Sequence, residues 1–179
     1  MKIVALALAT SIALVGVSNV RGVEEEPAAL IPEVVDFSKL LPLLPEAPAD
    51  WTADKPEGST DDAGGVKITS VHRDYKKGTA DNAPTTAISI LDSVANPDYV
   101  SATTEAWKSN SDTSEGYAKS VNIDGNPGFE TFEKDTKHAA LWVMIADRYF
   151  VQIELQNQEP GELQEWIKRI DLKKLASIK

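Results

Sequence analysis

The chain has 179 residues and no cysteine, and its 28 acidic against 18 basic side chains leave a formal net charge of −10. That acidity disfavours nucleic acid and anionic membrane surfaces as partners, because both are held by clustered Lys and Arg. Without thiols there is no disulfide framework, so packing alone must hold the fold.

The first predicted element is a secretory signal peptide over residues 1–22. Lys2 supplies the positive start, an apolar and small-residue run of 15 residues extends from Ile3 to Val17, and Val20 and Gly22 suit positions −3 and −1 of a cut before Val23. The run is shorter than the ~20 apolar residues that span a bilayer, and no cysteine stands at the cut to take a lipid. Cleavage would leave a periplasmic or secreted protein with no stable membrane insertion. Residues 1–22 hold two of the 18 basic side chains and none of the 28 acidic ones, so the remainder carries −12.

Residues 23–48 follow as a Pro-rich acidic tail or linker. It opens on Glu24, Glu25 and Glu26 and holds five of the ten prolines, a density that prevents a long helix or a central strand and leaves at most one short turn near 37–41. Leu40, Leu41, Leu43 and Leu44 are poorly placed in water, so the end of this segment is expected to dock on the body.

A single domain is expected over 49–179. Residues 54–65, rich in Gly, Asp, Thr and Pro, read as a long loop. Strands are expected over 66–75 and 85–93, joined by a polar turn; Ile88 and Ile90 share one face of the second while Ala87 and Leu91 share the other, which predicts an interior strand. Asn96, Pro97 and Asp98 form a helix start, since Asn caps free N–H groups, Pro fits the first turn and Asp suits the positive dipole end. The helix should reach about residue 109 with Val100, Thr103 and Trp107 on one side.

Four more strands are expected over 116–123, 129–134, 139–146 and 149–156, with turns at 124–128 and 135–138 and a tight connection at Asp147 and Arg148. Leu141, Val143 and Ile145 oppose Trp142 and Met144, and Tyr149, Val151, Ile153 and Leu155 form a core face opposite a wetter one. A closing helix from Pro160 carries Leu163, Trp166, Ile167 and Ile170 as one apolar stripe, with residues 172–178 as a short continuation. The fold class is therefore α+β, an antiparallel sheet of about six strands packed with two amphipathic helices.

The early Trp51, the helix over 96–109, the turn Asp124-Gly125-Asn126-Pro127-Gly128, the hairpin Ala146-Asp147-Arg148-Tyr149 and the closing helix together resemble the Mog1/PsbP-like fold over roughly 51–172. The resemblance implies a binding or assembly module more than an enzyme, and it carries over no functional residue.

His72 and His138 are the only histidines. A metal site would need them to meet in space with Asp74 or Asp135; solvated histidines are the competing reading. Asn110-Ser111-Asp112-Thr113-Ser114 imitates alternating calcium ligands but has Glu115 where glycine is needed and Val121 in place of the bidentate glutamate. Asp61-Asp62 and Asn122 with Asp124 are explained by loop solubility and turns. There is no Gly-x-Ser-x-Gly and no Gly-rich phosphate loop, and a hydrolase would need a buried, mutually bonded His–acid–Ser cluster that no spacing here predicts. Trp51, Trp107, Tyr117, Trp142, Tyr149 and Trp166 form either the core between sheet and helices or a groove for a small apolar or carbohydrate ligand.

No catalytic, cofactor-binding or metal residue is assigned, and no cofactor is expected. The expected function is an exported, non-enzymatic domain that binds a protein partner or assists assembly in the cell envelope. The alternative is a small-ligand or metal-binding periplasmic protein with a pocket at the sheet–helix edge. Oligomeric state is left open by these residues.

Overall fold

The computed structural model describes residues 32–63 and 66–179. The expected signal peptide over 1–22 and the start of the acidic tail lie outside the described residues. Apolar side chains at every second position need a sheet with both faces available, and that is what forms. The elements are β1 (Trp51–Ala53), β2 (Glu57–Ala63), β3 (Val66–Lys77), β4 (Thr85–Asp92), α1 (Pro97–Ala106), β5 (Ser111–Asp112), β6 (Gly116–Ile123), β7 (Asn126–Glu133), β8 (His138–Ile145), β9 (Tyr149–Gln156), α2 (Glu162–Ile167) and α3 (Leu172–Ser177).

The strands pair antiparallel in one nine-stranded sheet of order β1-β3-β4-β9-β8-β7-β6-β5, with β2 also on the outer edge of β3. The architecture is a mostly antiparallel α+β one, but with nine strands in place of the expected six or so. The additions are β1, β2 and β5, all at sheet edges. Residues 54–65 were expected as a loop, yet Glu57 to Asp62 pair with His72 to Lys67. This strand is held by its ladder to the long β3 more than by burial, so its composition carries no apolar alternation.

On the first face, Val71, Ile88, Ile90, Leu141, Val143, Val151, Ile153 and Leu155 are buried under α2, α3 and the segment from Val35 to Leu44. Leu40, Leu43 and Leu44 are buried, each with an expected gain of ~1.5–3 kcal/mol. Trp166 anchors this core, with its ring edge-on to Trp51 at 5.1 Å between centroids and tilted against Tyr75 at 4.8 Å. The segment is also tied by polar bonds: Tyr75 Oη and Arg73 Nη1 both donate to Pro45 O, at 2.7 and 3.0 Å.

The closing helix breaks into two short ones. In a continuous helix Leu172 would fall on the side opposite Leu163, so the chain stops after Ile167 and restarts at Asp171, whose Oδ1 accepts from Lys174 N at 2.8 Å. The break lets Leu163, Ile170, Leu172 and Leu175 all face the core. The turn expected at 124–128 is tighter than its composition suggests. Asp124 and Gly125 alone make it, at φ 51° and 88°, and Pro127 joins β7.

On the second face, Val100 of α1 and Trp107, its C-cap, pack on Met144 and Phe150, with Leu91, Phe129 and Trp142 beside them. Asn96 Oδ1 accepts from Tyr99 N at 3.2 Å, the predicted cap. At ten residues, α1 spans about 15 Å. It therefore covers one end of this face and leaves the rest to solvent.

Candidate functional site

The register decides what the second face presents. One row across the strands reads His72, Ser89, Gln152, Trp142 and Phe129. The next reads Asp74, Ala87, Glu154, Ala140 and Thr131. The apolar cluster under α1 includes Phe129 and Trp142 of the first row. Between α1 and that row runs a groove of about 320 Å³, with Ser89, Gln152, Trp142 and Phe129 in its floor and Tyr99 and Trp107 in its wall. None of its lining residues carries a formal charge. Tyr99 is 49% exposed, the one large hydrophobic side chain so open among the described residues.

At one end of the groove three polar side chains form a line. His72 Nε2 is 3.0 Å from Asp74 Oδ2, and His72 Nδ1 is 2.9 Å from Ser89 Oγ. A carboxylate only accepts, so Nε2 carries a proton toward Asp74, and when the ring holds no second proton Nδ1 accepts from the Ser89 hydroxyl. Ser89 Oγ then faces the groove with lone pairs. Gln152 Nε2 donates to Glu154 Oε1, which leaves its second N–H and its carbonyl for other partners.

The line has the residue types of a hydrolytic triad, brought together by register where linear spacing gave no sign of it. Ser89 sits mid-strand in β4, between β3 and β9, so its backbone groups serve the two ladders and offer no free N–H pair to a developing oxyanion. The line instead fixes the direction of the Ser89 hydroxyl.

The two histidines are not brought together, because β4 and β9 stand between them. His138, expected in a turn, is the first residue of β8. Its Nε2 is buried without a hydrogen bond, and Glu154 Oε2 lies 4.0 Å away. The calcium-like fragment uses its oxygens locally: Asn110 Oδ1 accepts from Ser120 N at 2.6 Å, and Thr113 Oγ1 accepts from the Glu115 and Gly116 N–H groups, both at 3.2 Å. Asp61 Oδ2 accepts from Ser59 Oγ at 2.9 Å, and Asn122 Oδ1 from Gly125 N at 2.9 Å.

The aromatic set divides. Trp51, Tyr149 and Trp166 belong to the first core, while Trp107 and Trp142 line the groove. Tyr117 lies toward the far edge, its Oη donating to Glu130 Oε1 at 2.6 Å; burial first, and then that acidic partner, raise its pKa above the ordinary phenol value. Sequence reasoning missed Ser89, Gln152, Phe129 and Tyr99 as groove residues. Polar Ser89 and Gln152 on interior strands were a signal, but only pairing shows that they adjoin. No protein-family model, curated protein or solved structure matches this chain.

Proposed function

We propose that this chain is an exported, non-enzymatic binding module of the periplasm or cell exterior, and that it meets a protein partner in the cell envelope through the part of the second sheet face that α1 leaves open. The observation that carries this reading is the second row of that face, where exposed Asp74 and half-buried Ala87 and Glu154 stand outside the groove that α1 walls. Small side chains between polar ones allow close approach without a large desolvation cost. The resemblance to the Mog1/PsbP-like fold supports the same reading, as does the acidity, which turns nucleic acid away. A photo-crosslinker at Ala87 in cells of the host, read by mass spectrometry, tests it. One dominant protein adduct supports the reading, and no adduct above that of a crosslinker at the exposed Lys173 rejects it.

A second reading is favoured by the groove itself. Its uncharged lining, its exposed Tyr99 and the unpaired polar groups among its aromatic rings suit a small ligand. Native mass spectrometry of the protein purified from its own host would reveal a retained molecule.

A further inference from the structure

We propose that the groove between α1 and the sheet binds a neutral carbohydrate ring, an inference that rests on the ligand reading just given and names its chemistry. Charge comes first. The whole chain is formally −10, yet the groove lining contains no acid and no base. A charged ligand would lose its water there without gaining a counter-ion.

The polar groups exclude a purely apolar ligand. The hydroxyls of Thr103 and Thr131 and the indole N–H of Trp142 line the groove and have no hydrogen-bond partner among the described residues. Covering them with hydrocarbon would strand them, at a cost of ~1–3 kcal/mol each. Ser89 Oγ, with its proton held by His72 Nδ1 and that ring held by Asp74, is an acceptor aimed from the sheet. Gln152 adds a donor and an acceptor. Such a mixture matches hydroxyls, which donate and accept in turn.

The shape of the groove suits a sugar ring as well. Tyr99 on the wall and Trp142 and Phe129 in the floor supply π-faces, and the C–H side of a pyranose, partly positive, packs on their negative faces. The volume of about 320 Å³ lies at the small end for ligand sites and suits one or two rings. Ligand hydroxyls would take Ser89 and Thr131, and the ring would rest between Tyr99 and Trp142.

The test is a titration of the ¹⁵N-labelled full chain with glucose, galactose, N-acetylglucosamine and cellobiose, with glucuronate, glucosamine and indole as comparators. The expected result is saturable shifts at Ser89, Thr131 and the Trp142 indole with at least one neutral sugar, and weaker binding of the charged analogues. Ser89→Ala and Tyr99→Ala should each weaken that sugar about tenfold, the loss of one good hydrogen bond or one stacking face; the exposed Tyr99 makes its variant safe for folding. Sugar shifts unchanged by both variants would overturn the proposal. Indole moving the groove signals while no sugar does so would overturn the carbohydrate class and keep the ligand site. Silence with every probe would remove both.

Discussion

Arg148 grips Asp92 with two parallel hydrogen bonds, Nε to Oδ1 at 2.9 Å and Nη2 to Oδ2 at 2.7 Å, around a carboxylate that is fully buried. Asp92 Oδ2 also accepts from Val35 N at 2.8 Å, and Arg148 Nη2 donates to Glu33 O at 3.0 Å. The pair therefore ties the end of β4 and the β8–β9 hairpin to the segment preceding the sheet. The bonds to Asp92 raise the Arg148 pKa despite burial.

Arg148→Ala leaves that carboxylate buried and unpaired, and is expected to cost ~3–5 kcal/mol by urea denaturation. Arg148→Lys should recover only part of this, because an ammonium cannot match two parallel bonds. Equal midpoints for the wild type and Arg148→Ala would contradict the role given to the pair.

The leucines before the sheet are core residues. Leu40→Ala, at a site with no exposure, should cost ~2–5 kcal/mol. A chain beginning at Trp51 should melt well below the full chain. An unchanged melting temperature would show that the segment only rests on the surface.

Tyr75 gives the alkaline limit a sign. Burial pushes its pKa up to about 12, against about 10 in an unfolded chain. The folded state thus keeps a proton that the unfolded state gives up, and this contribution, complete below about pH 10, is lost as pH climbs toward 12. Tyr75→Phe removes it, along with the bond to Pro45 O. The stability gap between wild type and Tyr75→Phe should therefore narrow from about pH 9 to about pH 11.5. A constant gap would assign the effect to other groups.

The β8–β9 turn holds Ala146 and Asp147 at φ 54° and 50°, with Arg148 N donating to Ile145 O at 3.1 Å. Both residues sit in the left-handed region, which side chains other than Gly and Asn enter at a cost. Replacing the pair by Asn-Gly should raise stability by ~0.5–1 kcal/mol in thermal melts. A loss would mean that Ala146 or Asp147 makes a contact worth more than the strain.

Much of the scaffold was legible in the residues. The alternation of Leu141, Val143 and Ile145 with Trp142 and Met144 placed β8 inside the sheet, Asn96 and Pro97 marked the start of α1, and the leucine cluster announced its docking. These are local signals, because periods of two and 3.6 and a capping side chain act within a few residues. β2 was not legible, because an exposed edge strand needs only backbone partners, and any polar sequence can supply those.

Composition and periodicity alone determined the α+β class, the paired core faces and the formal net charge of −10. Only the tertiary structure decided that His72, Ser89 and Asp74 form one hydrogen-bonded line, that Gln152 and Trp142 lie beside it, and that α1 stops short of covering them. The reason is physical: which face a side chain takes is written in its own strand, but which neighbours it meets depends on the register between strands far apart in the chain.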